Sequence, residues 1–140
     1  MLILDTNVIS AMVQATELPI VTRWLDRQDA AQIYTTAITI HELRFGIERL
    51  PRGRRRTKLD GDLGRVLSTL DDRVLPLDRA AAEASSRLQA ERERAGAPLA
   101  LADGMIAGIA IARRAILATR NVRDFRDLAI GIVNPWDAPA

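Results

Sequence analysis

Short apolar runs alternate with amphipathic stretches along the whole 140-residue chain, and this alternation constrains the fold more than any other feature. Met1–Leu4, "QIYTTAIT" (Ile33–Thr36), "RVLPL", "AILAT" and "AIGIVNP" each read as a short strand. Helical patterns fill the gaps. One runs from Asn7 to about Gln14. Another starts at Pro19 and carries Val21, Trp24 and Leu25 at i, i+3, i+4. A third spans about Thr39–Leu50, with Thr39 and Glu42 at capping-box spacing and Pro51 as its stop. Arg54–Leu70 places Leu59, Leu63, Val66, Leu67 and Leu70 on one face, Asp78 can cap a helix running to about Arg94, and Leu99–Arg114 is rich in alanine. "RNVRDF" reads as a loop. Strands separated by helices predict an α/β fold: one domain over residues 1–140, with a central parallel sheet flanked by helices. The Arg54–Arg94 stretch is expected to form a helical clip, and about 137–140 a loose tail.

Hydrophobic residues make up 48% of the chain, enough for a globular core. No apolar run approaches the ~20 residues of a membrane span, and the N-terminus lacks the basic and apolar regions of a signal peptide. The expectation is therefore a cytoplasmic protein with no membrane partner. The absence of cysteine excludes disulfides and thiolate metal sites.

Acidic residues sit where such a fold gathers ligands. In parallel sheets the binding crevice lies beyond the carboxyl ends of the strands. Asp5 follows the first strand directly, and "ATRNVRDF", with Asp124, follows the strand Ala115–Ala118. Asp103 is the sole acid between Glu93 and Asp124, and it shares a helix face with Ile106, Ala107 and Ala110. Glu42 lies early on a helix among Leu43, Phe45, Gly46 and Ile47. Each acid alone could merely cap a helix, as Asp5 could for the first one. Together, Asp5, Glu42, Asp103 and Asp124 form a candidate catalytic cluster. Crowded carboxylates repel one another unless a cation joins them. Mg²⁺ or Mn²⁺, bound by one or two carboxylates and water, suits this donor set, and the chemistry implied is phosphodiester hydrolysis. Thr6, Asn7, Thr119 and Asn121 would orient the acids or water around them. His41, the only histidine, is not required and reads as a structural or exposed residue.

The formal charge is only +2, and Lys58 is the sole lysine. Charge placement is more telling: "RGRRRTK" holds Arg52, Arg54, Arg55, Arg56 and Lys58 with no acid. Such a run can hold a phosphate backbone through counterion release, and so is a candidate RNA-binding stretch; its alternative is a solvated helix start.

"LILDTNVIS", "TAITIHELRFGI", "ALADGMIAGIA" and "ATRNVRDF", in this order, resemble the successive motifs of the PIN-domain family, and more narrowly the VapC-type toxins of bacterial toxin–antitoxin pairs. The closing "VNPW" further resembles the subgroup that includes the fast-intracellular-trafficking protein B. The resemblance implies a Mg²⁺- or Mn²⁺-dependent endoribonuclease acting on RNA, usually a homodimer, silenced by a cognate antitoxin and reaching promoter DNA only through that complex. It matches Asp5 and Asp103 to the family's metal-binding aspartates, Glu42 to its helix-borne glutamate, and Thr6 and Thr119 to hydroxyl positions. Where relatives often carry an acid two residues after the threonine, this chain has Asn121; Asp124 is the nearest acid that could replace it.

Two other readings compete. An aspartyl phosphatase would need an acid two residues after Asp5, and Asn7 stands there. A non-catalytic PIN-fold module, working through an antitoxin–DNA complex, would have no need of intact Asp5, Glu42 and Asp103. Cleavage of DNA in place of RNA is not distinguished by these residues, since a contact to the 2′-hydroxyl cannot be located in the sequence.

Overall fold

The computed structural model describes residues 1–14 and 19–137. Its sheet contains β1 (Leu2–Leu4), β2 (Ile33–Thr36), β3 (Val74–Leu75), β4 (Ile116–Ala118) and β5 (Gly131–Val133), in the order β3-β2-β1-β4-β5 with every pairing parallel. The helices are α1 (Thr6–Val13), α2 (Pro19–Asp26), α3 (Ala37–Glu48), α4 (Arg54–Leu70), α5 (Arg79–Arg94), α6 (Leu101–Arg113) and the single turn α7 (Val122–Phe125). No helix among the described residues is long and apolar enough to cross a membrane.

Period-two alternation splits the core. Leu2 and Leu4 face a layer built with Val8, Ile9, Val21, Trp24, Leu63 and Leu70, so α1, α2 and α4 cover one side of the sheet. Ile3 faces the other, with Leu75, Leu88, Ile106, Ile109, Leu117 and Phe125. Strand order reverses between β1 and β4: the chain leaves the central strand toward β2 and β3, then returns to β4 and β5. This is the switch point at which an open parallel sheet leaves a crevice.

Three sequence expectations change. The N-cap of α3 is Thr36, whose hydroxyl accepts from the Thr39 N–H at 3.1 Å. The Thr39–Glu42 capping box does not form, and Glu42 is freed for another partner. Second, α4 and α5 line opposite faces of the sheet with β3 between them, so Arg54–Arg94 is not one clip. Helix α4 is instead tied to α3, by the ion pairs Arg44–Asp60 and Arg56–Glu48. Third, part of "RNVRDF" is helical: α7 forms because Phe125 is an anchor fully buried against the sheet. The expected tail falls mostly outside the described residues, and Asp137 closes a 3₁₀ turn, Pro135–Asp137.

Helix α6, which carries Asp103, is pressed against α5. A Cβ on Gly108 would lie 2.5 Å from the Ala81 carbonyl oxygen and 2.7 Å from the Ser85 Cβ. At Gly104 the neighbour is only the flexible Gln89 side chain. Gly108→Ala is expected to destabilise the protein by about 1–3 kcal/mol through overpacking. Gly104→Ala should cost less, since Gln89 can move. Urea midpoints of the two variants, at unchanged m-value, check this.

Candidate active site

The carboxyl end of β1 leads directly into Asp5, which is only 3% exposed. Its backbone N–H donates to the Ala118 carbonyl at 2.9 Å, continuing the β1–β4 ladder by one residue. The side chain is the N-cap of α1 and accepts from the Thr6 N–H at 2.8 Å. The Thr119 hydroxyl donates to its other oxygen at 2.7 Å, and the Asn7 amide approaches that oxygen at 3.4 Å. Asp5 therefore caps α1 and also accepts from Thr119 across the crevice.

Thr119 directly follows β4 and is fully buried. Its oxygen accepts from the Asn121 backbone N–H at 2.9 Å, and the Asn7 carbonyl oxygen accepts from the Arg120 N–H at 3.1 Å. The loops after β1 and β4 are thus stitched together by side-chain bonds to backbone. On the opposite side the Thr6 hydroxyl donates to Glu42 Oε1 at 2.6 Å and lies 3.2 Å from the Thr39 hydroxyl, which is 3.3 Å from that of Thr36. Glu42 is held at the crevice by this chain of hydroxyls. Sequence reasoning missed Thr36 and Thr39; their spacing of three residues across the β2–α3 junction was the available signal.

Asp103 stands in the first turn of α6, and Asp124 in that of α7. The Asp124 carbonyl accepts from Arg92 Nη1 at 2.8 Å, which ties α7 to α5. The four acids feel one another. Burial pushes Asp103 up to about 6, reinforced by the charges of Asp5, Glu42 and Asp124. Burial also raises Asp5; its bonds from Thr119 and Thr6 oppose this, and Glu42 adds to it. No Lys or Arg among the described residues forms an ion pair with any of the four. Such a set can attract a hard cation. Among the described residues no group of three His, Cys, Asp or Glu side chains is placed to hold a metal ion. By its chemistry, a donor set of carboxylate oxygens suits a hard cation taken by one or two carboxylates.

A PIN domain family model matches residues 2–131. The chain belongs to the PIN-domain family. It is 41% identical over 138 residues to the VapC ribonuclease Y4jK of Sinorhizobium fredii, covering 98% of this chain and 99% of that one. It is 33% identical to toxin FitB of Neisseria gonorrhoeae, covering 97% and 99%. The structure of FitAB bound to an IR36 DNA fragment superimposes with a TM-score of 0.88 at 30% identity, covering 100% of this chain and 99% of that one.

Within this PIN domain hydrogen bonds link Asp5, Thr6, Asn7, Thr119 and Glu42 at the switch point, and the charges of Asp5, Glu42 and Asp124 act on Asp103. Asn121 contributes its backbone N–H to Thr119. His41 is exposed and stacks on Phe45, with ring centroids 6.1 Å apart. The basic run is partly neutralised: Arg56 pairs with Glu48 at 2.6 Å and Lys58 with Asp62 at 2.5 Å, while Arg52, Arg54 and Arg55 show no ion pair among the described residues.

Asp103 carries a pH signature. Its folded value of about 6 lies above the ordinary 3.8. Between these values the folded state binds more protons than the unfolded one, so stability falls as pH rises through the window and the penalty is complete above pH 6. In chelator, Asp103→Asn is expected to stabilise the protein at pH 7 by on the order of 1 kcal/mol, after solvent screening of a half-buried carboxyl. The gain should vanish near pH 4. Urea melts at both pH values check the sign.

Proposed function

We propose that this chain is a metal-dependent endoribonuclease, the toxin of a toxin–antitoxin pair. One observation supports this most: Asp5 and Asp103, at the sheet's switch point, are both raised by burial and by neighbouring acid charges, with no arginine among the described residues paired to Asp5, Glu42, Asp103 or Asp124. Asp5 and Asp103 would hold Mg²⁺ or Mn²⁺. When bound, that cation supplies charge neutralisation at the scissile phosphate and a more acidic water. The chain's own residues supply the placement. Thr119 and the Thr6 N–H hold both Asp5 oxygens, so its carboxylate cannot rotate. Thr6 holds Glu42 by one oxygen, Oε1, and leaves Oε2 to accept from a water poised at the phosphate. Asp124 serves as the fourth acid in place of Asn121, through its charge on Asp103.

The similarity to a VapC ribonuclease and to toxin FitB supports RNA as substrate and an antitoxin as partner. We extend the FitAB–DNA likeness to this chain as promoter binding through its antitoxin complex, and propose a homodimer acting in the cytoplasm, each copy one nuclease domain over residues 1–140. Arg52, Arg54 and Arg55, whose side chains are not committed to acids among the described residues, are the members of the basic run best suited to RNA phosphates.

Cleavage of a mixed RNA pool tests the central claim. Cuts should need Mg²⁺ or Mn²⁺, disappear in chelator, and fall by at least about 100-fold in Asp5→Asn and Asp103→Asn with circular dichroism unchanged. Full activity in both variants would overturn it. Alanine at Arg52, Arg54 and Arg55 should weaken RNA binding chiefly at low salt. It should also flatten the dependence of log K on log salt by about 0.7 for each phosphate that the variant no longer neutralises. An unchanged slope removes the stretch from the footprint.

A further inference from the structure

Arg120 occupies an unusual position. It follows Thr119, which donates to Asp5, and its own backbone N–H donates to Asn7 Oδ1, so its Cα stands at the rim of the acid crevice. Its exposed side chain makes no ion pair among the described residues. Its guanidinium carbon lies over the Trp136 ring, 5.2 Å from the centroid.

Trp136 is well placed to hold it there. It sits in the 3₁₀ turn that follows β5, at the same carboxyl edge of the sheet as the loop after β4. The turn is locked by Asn134, whose Oδ1 accepts from the Trp136 N–H at 3.0 Å and whose Nδ2 donates to Asp137 at 3.2 Å. The indole packs into the α1–α2–α4 core layer, and its Nε1 is buried without a partner among the described residues. The ring's polar edge thus points inward, and a fixed face is presented to Arg120. The guanidinium donates to no acceptor among the described residues, so its N–H donors are unspent. Those donors, in a planar fork, match two oxygens of a phosphate.

We propose that Arg120 binds a phosphate of single-stranded RNA at the entrance to the acid site, and that Trp136 is a positioning residue that keeps its guanidinium aimed at the substrate and off the carboxylates. The inference rests on the ribonuclease reading above and names a further substrate contact for it. A polyanion approaching four carboxylates is repelled until a cation at the rim offsets the field, and Arg120 supplies that charge without consuming an acid.

The test measures binding of a fluorescein-labelled, mixed-sequence single-stranded oligoribonucleotide pool in EDTA by anisotropy, from about 50 to 200 mM salt. Cleavage kinetics with Mn²⁺ run alongside on an RNA that the wild-type protein cuts. Arg120→Gln, which keeps length and hydrogen bonding but not charge, should reduce the slope of log K against log salt by about 0.7 and raise KM more than it lowers kcat. Arg120→Lys should restore the slope. Trp136→Leu should keep the slope but weaken binding roughly two- to tenfold, and Trp136→Phe should recover it. A wild-type slope and KM in Arg120→Gln would overturn the proposal and leave Arg120 as a loop brace. If Trp136→Leu melts early, Trp136→Phe and the two Arg120 variants still decide. Failure of the wild-type protein to cut any RNA with Mg²⁺ or Mn²⁺ would instead sink the ribonuclease reading, and this inference with it.

Discussion

Burying a carboxylate at the end of a central strand is the constraint around which this fold is arranged. Asp5 is almost inaccessible, and an isolated charge in such a place is costly. Two donors offset part of that cost: the Thr6 N–H at the start of α1 and the Thr119 hydroxyl at the end of β4. Both require the sheet to be in register. If β1 slipped by one residue against β4, the Asp5 N–H would lose the Ala118 carbonyl and Thr119 would miss the carboxylate. The same slip would turn Leu2 and Leu4 into the layer that holds Ile3. Core packing and site geometry therefore select one register together.

The other acids arrive on helices whose positions are set by packing far from the chemistry. Asp103 depends on how deeply α6 seats on α5, and Gly108 permits backbone contact there that any side chain would block. Glu42 depends on where α3 begins. Thr36 caps that helix and its hydroxyl continues through Thr39 to Thr6, so the cap of α3 and the orientation of Glu42 belong to one hydroxyl chain. A site assembled from four separate chain segments holds its shape because each segment is fixed at its base.

Much of this was legible in the chain itself. The β2 and α4 boundaries and Asp78 as the α5 cap follow from periodicity and capping chemistry, and the place of Asp5 just beyond the central strand follows from the rule that parallel sheets bind at their carboxyl edge. Local signals misled where tertiary contacts decided. The Thr39–Glu42 spacing fits a capping box, yet Thr36 caps and Glu42 is claimed by Thr6, 36 residues away. A four-residue helix such as α7 has too short a pattern to detect, and Phe125 forms it only by having a sheet to pack on. The contact between Arg120 and Trp136 joins the loops after two adjacent strands, which no local pattern could pair.

An arginine-rich chain faces a particular difficulty in keeping an acid cluster unneutralised. In part it is met by giving some of the cations acidic partners elsewhere. Arg44 pairs with Asp60, Arg56 with Glu48, Lys58 and Arg65 with Asp62, Arg79 with Glu83 and Arg113 with Asp78. Arg92, which reaches α7, donates to the Asp124 backbone carbonyl and not to its carboxylate. Individually, exposed pairs of this kind add little stability. Their consequence here is electrostatic segregation: acids outside the crevice absorb positive charge, so the four inside retain their mutual repulsion. Burial raises Asp103 first and the charges of Asp5, Glu42 and Asp124 raise it further; that repulsion is free energy that a divalent cation bound there would relieve.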